Sequence, residues 1–167
     1  AQRPDRSVLE LYTDASTAEL AALGISGECV RVNPLVPPRA VLGVLRAADV
    51  LLLPLSFDPA QQSVVATSFP TKTAEYLASG VPILIHAPPY ATVVRAAHGE
   101  GWALVVDQAS PTLLRGALDR LRRDVRLRRQ LSATAVRVAR ERHDLATRRT
   151  ELVTTVCGLV GVKPGMR

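Results

Sequence analysis

The chain has 167 residues, 47% of them apolar and 22% charged, with a net charge of +6 and a pI near 10.1. That length and apolar share are enough for one sizeable core, so a single domain over 1–167 is expected. The longest apolar run, Ala47 to Phe57, carries Asp49 and is far short of the roughly twenty residues of a membrane span, so none is expected.

Almost all of the excess positive charge is arginine between Arg115 and Arg149. These arginines alternate with Leu, Val and Ala at helical spacing and have no aromatic residues among them to stack bases, so the segment reads as a basic helix surface and no nucleic acid is expected. A peripheral contact with an anionic membrane face is a further partner that such a surface allows. The N-terminus has neither the basic start nor the apolar core of a signal peptide, which makes the cytoplasm, including the inner face of its membrane, the expected compartment. Cys29 and Cys157 lie far apart among apolar residues and suit two buried thiols. No Cys-x-x-Cys or His-Glu-x-x-His cluster is present, so neither a metal nor a bound cofactor is expected.

In chain order, Ser7 to Tyr12 favours extension, Thr13 to Ser16 is a turn and cap, and Thr17 to Leu23 is a short helix ended by Gly24. Cys29 to Val32 is the next strand, Asn33-Pro34 turns it, and Pro37-Pro38 leads into a helix from Arg39 to Ala47. Val50 to Leu55 has no polar side and predicts a central parallel strand covered on both faces, with Ser56 at its C-terminal end. Asp58 to Thr67 has no pattern and predicts a loop over that end of the sheet.

The stretch from Ser68 to His86 carries the chemistry. Ser68 is a good N-cap, Pro70 suits a first turn, Ala74, Leu77 and Ala78 recur at helical spacing, and Gly80 closes the helix before a strand from Pro82 to Ile85. At the start of this helix the free N–H groups of Thr71 and Lys72, the Lys72 ammonium and the hydroxyls of Ser68, Thr71 and Thr73 would converge on an anion, most naturally a phosphate. Glu75 lies four residues after Thr71 on the same face, where a carboxylate suits the vicinal hydroxyls of a ribose. The simpler alternative is that Lys72 and Glu75 pair on a solvated face, with Glu75 favoured by the helix dipole alone.

His86 ends its strand where α/β sheets place ligands, and reads either as a packed, hydrogen-bonded side chain or as a phosphate or sugar contact. Ala91 to His98 is a helix and Trp102 to Val106 a fifth strand, with Trp102 a core or sheet-edge anchor. Ser110-Pro111 starts a helix with the stripe Leu113, Leu114, Ala117, Leu118 and Leu121. A second helix runs to about Arg142, and a third from about Leu145 to Leu159, ended by Gly161 and Pro164. The alternation of strand and helix predicts an α/β, Rossmann-like parallel sheet with right-handed crossovers, followed by a C-terminal run of helices. The glycine fingerprint of NAD proteins and the Walker loop are both missing.

Phe69, Glu75-Tyr76, Ser79-Gly80 and Pro82 together resemble the nucleotide-sugar site of the group 1 (retaining, GT-B fold) glycosyltransferases. The wording Phe-Pro-Thr-Lys-Thr-Ala-Glu-Tyr-Leu is similar to the subgroup common in surface-polysaccharide assembly, and the likeness runs from about Ser7 to Leu159. The resemblance implies the C-terminal, donor-binding half of a GT-B hexosyltransferase, whose substrate is a nucleoside diphosphate sugar and whose acceptor is a glycan or a lipid-linked group. It implies diphosphate contacts at Ser68, Thr71, Lys72 and Thr73, ribose contact at Glu75, base contact near Asn33 and Leu35, and sugar contact near Thr67 and His86. Thr67 stands where most of the family has a second glutamate, eight positions before the first. Family members also precede this region with a strand, a helix and an N-terminal acceptor domain, so the resemblance implies a fragment that does not turn over alone. In that event His86, His98 and Asp58 are the candidates for a base only if the chain proves active by itself. The reading from another class is a non-catalytic α/β module that binds an anionic partner through the arginine face.

Overall fold

The structure, a computed structural model, describes residues 7–161, so the expected stop at Pro164 lies outside the described residues. The chain divides into two compact units, residues 1–41 and 42–167.

In the first unit, β1 (Leu9–Tyr12) and β2 (Val30–Asn33) pair in parallel, Leu9 opposite Val30 and Tyr12 opposite Asn33. Between them runs α1 (Thr17–Ala22), started by a reciprocal cap. Glu19 N–H donates to Ser16 Oγ at 3.2 Å, and Ser16 N–H donates to Glu19 Oε2 at 2.7 Å. This satisfies two N–H groups that the first turn leaves without partners. Leu20 is buried beneath it. The helix α2 (Pro38–Ala47) follows.

The larger unit holds a three-stranded parallel sheet in the order β3 (Leu51–Pro54), β4 (Ile83–His86), β5 (Ala103–Val106). Leu51, Ile83 and Ala103 are in register, as are Pro54, His86 and Val106. Between β3 and β4 come a 3-10 turn (Pro59–Gln61), α3 (Gln62–Thr67) and α4 (Lys72–Ser79). Between β4 and β5 comes α5 (Thr92–Glu100), and α6 (Pro111–Arg123), α7 (Val125–Arg142) and α8 (Leu145–Leu159) complete the chain. The architecture is α/β, with two small parallel sheets flanked by helices and a C-terminal helical run.

Alternate residues of β4 feed two cores, as a pleated strand requires. Ile83 and Ile85 pack with Leu53, Leu77, Trp102 and Val138, whereas Leu84 packs with Val106, Leu121 and Leu131. Trp102 is 1% exposed and is thus a core anchor.

Three expectations are corrected. The apolar run from Val50 to Leu55 is not the centre of its sheet: β3 pairs with β4 alone among the described strands, and β4 is central. Leu51 and Leu55 donate to Pro82 O (2.9 Å) and His86 O (3.0 Å) of the β4 side, so Pro54, one position out of phase, turns its donorless nitrogen to the unpaired edge, where it removes no ladder bond. The segment 58–67 is not a loop. Asp58 Oδ1 accepts from Ala60 N–H at 2.9 Å, Pro59 opens the turn, and Val65 is buried beneath α3. Ser68 does not cap α4, because its own N–H closes α3 onto Val64 O at 2.9 Å and α4 begins only at Lys72, four residues on. Thr71 occupies the capping position instead, in a right-handed helical conformation, with no side-chain cap bond.

Candidate functional site at the start of α4

The helix α4 returns the chain from β3 to the parallel β4, so its N-terminus lies at the C-terminal end of the sheet, where His86 and Pro54 end their strands. Gly80 makes the short return feasible. Its φ of 74° is left-handed, and the Ser79 hydroxyl locks the corner by donating to Tyr76 O (2.6 Å) and accepting from Val81 N–H (3.1 Å).

At the opening turn, Thr73 N–H donates to Pro70 O at 2.9 Å, while the N–H groups of Thr71 and Lys72 have no partner among the described residues. Ser68, Thr71 and Lys72 are exposed. Thr73 is different. It is fully buried, with Leu77 one turn further along the same inward face, and its Oγ1 has no hydrogen-bond partner among the described residues. The structure therefore brings three of the four expected diphosphate residues to the surface of this segment and turns the fourth inward, because the helical period places 73 and 77 together against the core.

Lys72 and Glu75 are both exposed and do not pair with each other, nor does either have an ion-pair partner among the described residues. An unpaired ammonium, an unpaired carboxylate and two unpaired N–H groups thus share the first turn. Beside them, Tyr76 is half-buried; its phenol is held above the usual tyrosine range by burial first and by the Glu75 charge second, so it remains a neutral donor.

The remaining candidates are placed as follows. Thr67 turns its hydroxyl back to donate to Ser63 O at 2.8 Å. His86 Nε2 lies 3.1 Å from Gln108 O, and since a carbonyl only accepts, that nitrogen carries the proton. The ring packs on Phe57, centroids 4.9 Å apart, which is the packed and hydrogen-bonded arrangement. Asp58 is engaged as a cap and His98 is exposed on α5. Asn33 and Leu35 belong to the first unit; Asn33 Nδ2 is buried with no hydrogen-bond partner among the described residues and Leu35 is exposed.

Several contacts around the site had no signal in the sequence. Thr92 Oγ1 donates to Ala66 O at 2.6 Å and ties α5 to the end of α3, just ahead of Ser68. Phe69 stacks on His143 of the distant α7–α8 junction, centroids 6.2 Å apart and planes 19° apart. Cys29 and Cys157 form no disulfide and are part-exposed, so neither is a buried core thiol; Cys29 precedes β2 and Cys157 lies on α8, which buries no residue among those described. Among the described residues no group of His, Cys, Asp or Glu is arranged to hold a metal, and no helix is long and apolar enough to cross a membrane. Compared with protein-family models and with curated proteins, the chain matches none.

Proposed function

We propose that the chain is the donor-binding domain of a GT-B glycosyltransferase and that it holds a nucleoside diphosphate sugar at the start of α4. The observation that carries the reading is the set of groups left without partners on that turn: Thr71 N–H, Lys72 N–H, the Lys72 ammonium and the Glu75 carboxylate. The N–H pair and the ammonium take the diphosphate oxygens, and Glu75 accepts from the ribose hydroxyls. Their position at the C-terminal end of a parallel sheet is where α/β folds receive nucleotides. As the glycosidic bond breaks, negative charge grows on the departing diphosphate. Donors already aimed at it stabilise that charge without reorganising, an effect of about 10²–10³ in rate for a single donor of this kind. Tyr76 stays protonated throughout and offers no competing negative charge.

The acceptor and its orientation are assigned, on the same reading, to an N-terminal partner domain, and the glycan or lipid-linked acceptor to surface-polysaccharide assembly. Residues 1–167 alone are then expected to bind a donor without transferring its sugar. The test is a titration of the chain with nucleoside diphosphates, followed by amide shifts. Saturable shifts at Thr71 and Lys72, lost in Lys72→Gln, are expected. Shifts confined to the arginines of α6 to α8 would overturn the reading in favour of an anion-binding module. One observation favours that module: twelve arginines face five carboxylates between 111 and 159. Its affinity would fall steeply with salt through many arginines at once, whereas the α4 site depends on Lys72 and Glu75.

A further inference from the structure

A cleft of about 380 Å³ runs between α4 and α7. Its wall is made of small apolar side chains, Ala74 and Ala78 from α4 with Val136 and Ala139 from α7. At 100° per residue, Ala74 and Ala78 lie about 160° and about 120° around α4 from Lys72 and continue the face of Thr71 further along the helix, so the cleft lies beyond the opening turn and away from the Lys72 side. Its rim carries Arg46, Arg140, His143 and Asp144.

The charges on the rim do not cancel. Neither Arg46 nor Arg140 has an ion-pair or hydrogen-bond partner among the described residues. The neighbouring Arg137 and Arg142, by contrast, are paired with Glu141 (2.7 Å) and Glu100 (3.4 Å). The one carboxylate on the rim, Asp144, is turned to the start of α8, where Oδ2 accepts from Thr147 N–H (2.9 Å) and Thr147 Oγ1 (2.6 Å). The carbonyls that end α7 would repel an anion, and two of them are already occupied: Ala139 O by His143 N–H at 2.9 Å and Glu141 O by Arg148 at 3.0 Å. His143 is held against Phe69.

We propose that this cleft binds a small organic phosphate monoester, its phosphate held by Arg46 and Arg140 and its organic part lying on the alanine-lined wall. The guanidinium fork matches phosphate oxygens in pairs, which two lysines would not. The apolar wall gives the organic part its share of the affinity and separates such a ligand from inorganic phosphate. The site is independent of the donor reading, because it uses neither Lys72, Glu75 nor the start of α4.

The test uses the 167-residue chain, with phenyl phosphate and inorganic phosphate as probes and the methyl resonances of Ala74, Ala78 and Ala139 as readout. Phenyl phosphate is expected to give saturable shifts at these methyls and to bind at least several-fold more tightly than inorganic phosphate. The double variant Arg46→Gln, Arg140→Gln should weaken it at least tenfold, and Lys72→Gln should leave it unchanged. Ala78→Leu, which fills the cleft from an exposed helix position, should block phenyl phosphate while leaving both arginines in place. Equal affinity in the double variant, equal affinity for the two probes, or shifts centred on the Thr71 and Lys72 amides would each overturn the proposal. A null result with nucleoside diphosphates at Lys72 bears on the donor site alone.

Discussion

Glu75 and Tyr76 are neighbours with opposite surroundings, one exposed and unpaired, the other half-buried against the core. If Glu75 accepts both hydroxyls of a ribose, Glu75→Gln weakens a ribonucleoside diphosphate more than its deoxy counterpart. Hydrogen bonds to a charged acceptor are worth about 1.5–3 kcal/mol, so calorimetric titration should resolve the difference, and equal losses for both ligands would remove Glu75 from the ribose. The same variant tests the local electrostatics. Tyr76 is raised above 10.0 by burial first and by Glu75 second, so Glu75→Gln should bring its titration downward, with the burial part remaining. Because the folded value is the higher one, the contribution of Tyr76 to stability is whole below about pH 10 and is lost as pH rises through the folded value. A Tyr76 ring resonance that titrates identically in both proteins would mean that the Glu75 charge does not reach the phenol.

Helix ends decide how the elements begin and stop. Ser110, Asp124 and Asp144 each accept from an N–H three residues on, which fixes the starts of α6, α7 and α8. The start of α4 has no side-chain cap bond and is secured chiefly by the burial of Leu77 and Thr73, and its uncapped donors are the groups that the proposed function assigns to the diphosphate. At its other end Gly80 is doubly constrained. Its φ of 74° disfavours any side chain, and a Cβ there would lie 3.3 Å from Val136 Cγ2 of α7. Gly101 ends α5 with a similar φ of 70° but has open space around it. Gly101→Ala should therefore cost about 1–2 kcal/mol of stability, the left-handed penalty alone, and Gly80→Ala measurably more. Denaturant midpoints for the two variants check the order; equal losses would mean that Val136 yields without cost.

Burial is distributed unevenly over the whole molecule. Ile83, Leu84 and Ile85 of β4 are 0% exposed and bonded to strands on both sides. In the first unit only Leu20 is buried among the described large apolar residues, and its sheet has two strands. A pair of short strands is marginal by itself, so hydrogen exchange should open β1 and β2 well before β4. Amides of Leu11 and Val32 exchanging as slowly as that of Leu84 would show that the small sheet draws stability from more than its own two strands. The single tryptophan, Trp102, lies in the core of the larger unit, so its fluorescence should follow the slower opening.

Signals that act within a few residues were legible in the sequence by itself. The Ser110-Pro111 start, the Gly80 stop and the bounds of the helix from Leu145 to Leu159 follow from caps and dihedral preferences that need no distant partner. So was the α/β alternation, and with it the place of Lys72 and Glu75 on the first turns of a helix. The number of neighbours a strand has is not local: Val50 to Leu55 and Val81 to Ile85 are equally apolar, and only the assembled sheet makes the first an edge and the second the centre. The helix α3 was missed because one buried valine, Val65, together with the Asp58 cap organises a segment that has no apolar stripe. Tertiary packing also turned Thr73 inward, left Lys72 and Glu75 unpaired, and set Phe69 against His143, since each outcome depends on which distant side chains fill the space around α4. The local chain thus determined that a helix bearing Lys72 and Glu75 ends at Gly80, and long-range contacts decided which of its side chains stay exposed and unpaired.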